Sequence, residues 1–124
     1  MQKNKLATIG FVVLILAVAG GVIFFKNFQG ASVQDTDAEK VAKWIGEHSV
    51  LYVQTGCIHC KEQEDLFGSN VKYLNIIDCL ASSENQQACA AAEIKATPTW
   101  IIEGKAYIGV ETIDELKKLT NYSE

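Results

Sequence analysis

Apolar positions divide this chain into one long unbroken run followed by short, punctuated segments. From Leu6 to Phe25 the sequence carries no charge, and Thr8 is the only clearly polar side chain. A helix rises ~1.5 Å per residue, so a run of this length reaches ~30 Å, the thickness of a bilayer's hydrocarbon core. The run is apolar all round, which suits lipid better than the one-sided burial of a core helix. A cleaved signal peptide competes with an uncleaved anchor, because Ala17-Val18-Ala19 has the small residues of a cleavage site. Cleavage there would leave Gly20-Gly21-Val22-Ile23-Phe24-Phe25 as an apolar new start, so the anchor reading is preferred. Residues 1–26 are therefore expected to be a transmembrane anchor, 27–35 a small polar linker, and 36–124 a folded domain.

Within the domain the period alternates between helix and strand. Thr36-Asp37-Ala38-Glu39 fits a capping box, and Ala38, Val41, Ile45 and His48 follow at helical spacing, with Trp44 beside them as a core residue. Val50 to Val53 is a short apolar run of strand formers, broken by Thr55-Gly56. A helix is expected from Cys57 to Phe67, with Cys60, Gln63, Glu64 and Phe67 on one face. Val71 to Ile77 then reads as a strand, and Ser83 to Gln86 as a capping box opening a helix to about Glu93. Thr99 to Ile102 and Ala106 to Val110 read as strands joined by a tight turn at Gly104. Thr112 to Glu115 is a further capping box, opening a helix that turns Ile113, Leu116 and Leu119 inward. This order implies an α/β domain, a central mixed four-stranded sheet flanked by helices and preceded by one transmembrane helix.

Charge narrows the partners. After residue 26 the chain holds 8 of its 11 lysines, no arginine and all 15 acidic residues, a balance of about −7. Nucleic acid is excluded on this balance, since its phosphates call for clustered cations. Lys3, Lys5 and the amino terminus outweigh Lys26 across the apolar run, which places the N-terminus in the cytoplasm and the domain outside it.

All four cysteines follow the apolar run, as in a domain that meets oxidising surroundings. Cys57-Ile58-His59-Cys60 stands at the strand-to-helix junction. Three-residue spacing on a helix brings two sulfurs to one side, within bonding reach. Free N–H groups and the helix dipole favour an anion at the first position, so the Cys57 pKa should fall to between ~3.5 and ~7.5. Cys57 is thus the expected nucleophile and Cys60 the resolving thiol. A protonated His59 would stabilise the thiolate further; otherwise it is a solvated surface residue. Zinc is disfavoured because Cys79 and Cys89 do not form a second close pair, and no metal or other cofactor is called for. A haem attachment site would need histidine where Lys61 stands.

Strand, Thr55-Gly56-Cys57-Ile58-His59-Cys60, helix, then Ala96-Thr97-Pro98-Thr99-Trp100 before a hairpin: this sequence resembles the thioredoxin superfamily. In particular it is similar to the thioredoxin-like domain associated with vitamin K epoxide reductase-type membrane proteins. The likeness runs from Val50 to Tyr122 and includes the Cys79 and Cys89 pair and Tyr107-Ile108-Gly109. It implies a cis peptide at Pro98, beside the cysteine pair, with the backbone of Thr97 pairing with an extended substrate segment. Cys79 and Cys89 are expected to form a structural disulfide, the alternative being a relay pair that passes electrons to Cys57 and Cys60. Two departures from thioredoxin stand out: Gly56 where thioredoxin has tryptophan, and Leu51 where it has a buried acid that moves the resolving thiol's proton. Glu64 is a candidate replacement.

The function these features imply is a membrane-tethered thiol–disulfide oxidoreductase. Its partners would be protein thiols and disulfides of exported proteins, or a quinone-linked membrane oxidoreductase. The competing reading is a non-catalytic thioredoxin-fold binding module or soft-metal carrier. Glutathione chemistry lacks a visible basic groove.

Overall fold

A computed structural model describes residues 34–124, with side chains from Thr36 onward. The anchor and nearly all of the linker expected from the sequence lie outside these residues. Among the described residues no helix is long and apolar enough to cross a membrane. The elements run α1 (Gln34–His48), β1 (Ser49–Val53), α2 (Ile58–Asp65), a 3₁₀ helix (Gly68–Tyr73), β2 (Ile76–Asp78), α3 (Ser83–Ala91), β3 (Thr99–Ile102), β4 (Lys105–Ile108) and α4 (Ile113–Leu119).

The four strands form one mixed sheet in the order β2-β1-β3-β4. β1 and β2 are parallel, with Leu51 opposite Ile76 and Val53 opposite Asp78. β3 runs antiparallel to both β1 and β4. Ile102 pairs with Lys105, so the hairpin turn is the two residues Glu103 and Gly104, both at positive φ (51° and 76°). That backbone matches the twist of the flanking strands, and glycine takes it without steric cost.

Alternation along the strands sends Leu51, Val53, Trp100 and Ile102 to one face of the sheet. They meet Val41, Ala42 and Ile45 of α1, Cys60 of α2, Phe67 just beyond it, and Leu116 of α4, all buried. Trp44 lies at the edge of this core and donates its indole N–H to Thr120 O at 3.0 Å. His48, at the end of α1, stacks on the Trp44 ring with centroids 3.8 Å apart. Gly46 permits a close crossing: a Cβ there would lie 2.0 Å from the carbonyl oxygen of Tyr73.

Several element boundaries differ from the sequence reading. α1 begins at Gln34, so Thr36 lies inside the helix and Gln34 and Asp35 belong to it, not to the linker. α3 is capped by Ser82, whose hydroxyl accepts the Asn85 N–H at 3.1 Å, one residue before the expected cap. The expected strand Val71 to Ile77 is instead a 3₁₀ turn followed by the three-residue β2. Val71, Tyr73 and Leu74 all pack on the core, and the adjacent pair Tyr73 and Leu74 cannot both face it from an alternating strand. β4 ends at Ile108 and not at Val110. The Thr112 to Glu115 capping box is present in full.

Candidate active site

The site is assembled where β1 gives way to α2. The N–H of Cys57 bonds to Gln54 O at 3.0 Å and closes a four-residue turn. Gly56 occupies the third position of this turn at φ +85°, which favours glycine whatever space surrounds it. This accounts for a glycine where thioredoxin has tryptophan.

Cys57 is the N-cap of α2. Its backbone is extended (φ −79°, ψ 118°), and its Sγ accepts the N–H of Cys60 at 3.2 Å. Sulfur thus takes the place that a serine or aspartate oxygen takes at an ordinary cap. Negative charge on this atom is favoured by the unpaired N–H groups and by the dipole of the helix. Cys57 is half-buried, whereas Cys60 is 2% exposed. The structure holds the two as a disulfide with Cα atoms 5.3 Å apart.

Thr97, in the loop two residues before β3, faces the same sulfur. Its carbonyl oxygen lies 3.6 Å from Cys57 Sγ, and its hydroxyl donates to Sγ at 3.7 Å. The Thr97–Pro98 peptide bond is cis, and Pro98 is fully buried. Pro98 O accepts the Gly109 N–H at 2.9 Å, which ties the loop to the end of β4. Ile58 projects from the first turn of α2 and is 81% exposed. His59 is also exposed, with Nδ1 3.3 Å from Glu62 Oε2. Leu51 is fully buried in the apolar cluster that contains Cys60, and Glu64 is partly exposed on α2.

Cys79 and Cys89 are bonded, with Cα atoms 5.8 Å apart. The bond joins the residue after β2 to α3, and Cys89 is buried. A groove of about 300 Å³ runs past this disulfide between Gln54 and Thr97.

Two polar residues complete the site: Gln63, which the sequence puts on the helix face of Cys60 without a role, and Asp78, which the sequence does not single out. Gln63, one turn after Cys60, is fully buried. Its Oε1 accepts the Trp100 indole N–H at 3.0 Å and the Glu111 N–H at 2.7 Å, and its Nε2 donates to Glu111 O at 3.0 Å. Asp78, at the end of β2, accepts the N–H and hydroxyl of Thr55 and the N–H of Leu80. The Thr55 hydroxyl, then the Leu80 N–H, hold the Asp78 carboxyl below its ordinary pKa. Glu111 is shifted the other way, by burial first and by the neighbouring Glu115 second.

Sheet order, the cysteine pair at a helix start and the cis proline beside it together fix the architecture. The domain fits a thioredoxin-like α/β fold. No family model matches the chain. The chain is similar to a protein named thiol-disulfide oxidoreductase LTO1 from Arabidopsis thaliana, 35% identical over 79 residues. The match takes in 59% of this chain and 21% of that relative, so the chain spans about a fifth of the length of the curated protein it matches.

Proposed function

We propose that the chain is a thiol–disulfide oxidoreductase with Cys57 as nucleophile and Cys60 as resolving thiol. The observation that carries this reading is the asymmetry of the pair. Cys57 Sγ is reachable and surrounded by the Cys60 N–H, the Thr97 hydroxyl and the helix N-terminus, while Cys60 is buried behind it. The similarity to a protein named as a thiol-disulfide oxidoreductase supports it.

In the reducing direction, the Cys57 thiolate attacks one sulfur of a substrate disulfide. A mixed disulfide forms, and the other substrate sulfur leaves as a thiolate that takes up a proton. Cys60, after losing its proton, attacks Cys57 Sγ, and the second substrate sulfur departs. The domain ends as the Cys57–Cys60 disulfide, and the substrate gains two thiols. The oxidising direction is the reverse. The Thr97 backbone, beside Sγ, offers an edge along which an extended substrate segment pairs.

The finer reading adds a location. The apolar run from Leu6 to Phe25 tethers the domain to a membrane, with the N-terminus in the cytoplasm and the domain outside it. Its partners are exported proteins or a quinone-linked membrane oxidoreductase. The likeness of the cysteine motif and the Thr97-Pro98 segment to domains associated with vitamin K epoxide reductase-type proteins supports the latter. The test is trapping with Cys60→Ala in the membrane-extracted protein. Without the resolving thiol, partners stay attached to Cys57 and are released by dithiol reductant. Adducts released only by a chelator, or none that depend on Cys57, would defeat the proposal and favour the metal-carrier alternative.

A further inference from the structure

The turn that presents Cys57 is held from outside its own strand. Thr55, its second residue, donates its N–H to Asp78 Oδ1 at 3.2 Å and its hydroxyl to Asp78 Oδ2. Both oxygens of one carboxylate therefore grip one residue of the turn. The same Oδ1 accepts the Leu80 N–H at 2.9 Å. Only this last bond is an ordinary local turn contact; the grip on Thr55 joins residues 23 positions apart in sequence.

Asp78 is itself anchored. Its carbonyl oxygen accepts the Asn85 side-chain N–H at 3.0 Å from α3. The next residue, Cys79, donates its N–H to Val53 O at 2.9 Å and is bonded to Cys89. The carboxylate is thus fastened to β1 and to α3 while it holds the loop between β1 and α2. That loop decides where Cys57 Sγ sits relative to the helix N-terminus and to the Thr97 hydroxyl.

On the reading of Cys57 as the attacking thiol, we propose that Asp78 is a positioning residue for it. It fixes the Gln54 to Cys57 turn so that Sγ keeps its cap geometry. The sign of the effect separates this role from a purely electrostatic one. A negative charge near a thiolate raises the thiol pKa, so deleting that charge alone lowers it. Loss of cap geometry does the reverse. Asp78→Ala removes both charge and acceptor; Asp78→Asn removes the charge and keeps an acceptor oxygen.

The experiment uses the full-length chain in a Cys60→Ala background with Cys79–Cys89 oxidised, so that Cys57 is the single titrating thiol. Thiolate absorbance and alkylation rate are followed against pH. Asp78→Ala is expected to raise the Cys57 midpoint by about one unit, a roughly tenfold fall in alkylation rate on the acid limb. Asp78→Asn is expected at or below the parent's midpoint. Thr55→Val, which removes only the hydroxyl bond, should shift the midpoint the same way as Asp78→Ala but less; it serves if Asp78→Ala fails to fold. A midpoint in Asp78→Ala or Thr55→Val that equals or undercuts the parent's overturns the positioning role. A parent Cys57 that titrates like a free thiol, near ~8.5, overturns the proposed function instead.

Discussion

The indole N–H of Trp100 donates to the side-chain oxygen of Gln63 at 3.0 Å, in a pocket closed to solvent. One end of this bond lies two residues after Pro98 and the other lies on the helix that begins after Cys57. Gln63 also holds both backbone groups of Glu111, so one side chain joins α2, β3 and the loop before α4.

Gln63→Met keeps most of the volume and removes all three bonds. Two donors, Trp100 Nε1 and Glu111 N, then lack their acceptor. A buried group left in this state costs about 1–3 kcal/mol, so we expect a loss of about 2–4 kcal/mol in denaturant unfolding. A loss under about 0.5 kcal/mol would show that the network contributes little.

Removing the second disulfide as Cys79→Ala with Cys89→Ala should destabilise the domain by about 3 kcal/mol in the chain-entropy view, through its effect on the unfolded chain. Exchange activity should survive at temperatures well below melting. If the double variant melts like the parent and yet loses turnover with a redox partner, the pair is a relay.

Acidification should act on the domain in two stages of opposite sign. Glu111 is raised above its ordinary pKa, so it protonates first and sheds an unfavourable ionisation. Asp78 and Glu115 are depressed, by the Thr55 hydroxyl and the Thr112 hydroxyl in first place. Their contributions are complete above the unfolded-state values of ~4 and fade as pH falls through the lower folded ones. Unfolding midpoints should therefore be flat or slightly rising just above that range and fall steeply beneath it. Asp78→Asn should flatten part of the fall; an unchanged slope in that variant counts against the assignment.

The reduction potential should lie between ~−230 and ~−120 mV, less reducing than thioredoxin. Whatever stabilises the Cys57 thiolate stabilises the reduced form, and the Cys60 N–H, the Thr97 hydroxyl and the helix N-terminus all act on that atom. Equilibration with glutathione buffers and quantification of free Cys57 gives the value. A potential at or below ~−270 mV would overturn this expectation and point to a reductase.

Local chemistry made much of this domain legible. The strand Thr99 to Ile102 and the cap at Thr112 carry their signals within a few residues, and the structure places both as expected. Neighbouring serines blurred the start of α3, since Ser82 and Ser83 each stand three residues before a polar side chain. The apolar residues from Val71 suggest a strand by composition, whereas the structure has a 3₁₀ turn there that passes close to Gly46. Gln63 and Asp78 were hidden for a stronger reason. Helical spacing puts Gln63 on the face of Cys60 and Phe67 but names no partner, Asp78 looks like an ordinary strand-end acid, and each gains its role from Trp100, Glu111 or Thr55, which only the fold brings near.

Leu51 gives the domain a characteristic timing. Cys60 is packed among apolar side chains, and Leu51 stands at the strand position that holds an acid in thioredoxin, so no carboxylate is supplied from there. On the proposed roles of Cys57 and Cys60, the proton of the resolving thiol would leave through solvent or with the departing substrate sulfur, and release would be slower than attack. The covalent complex would then be the long-lived species of the cycle. A domain built this way would dwell on each partner before letting go.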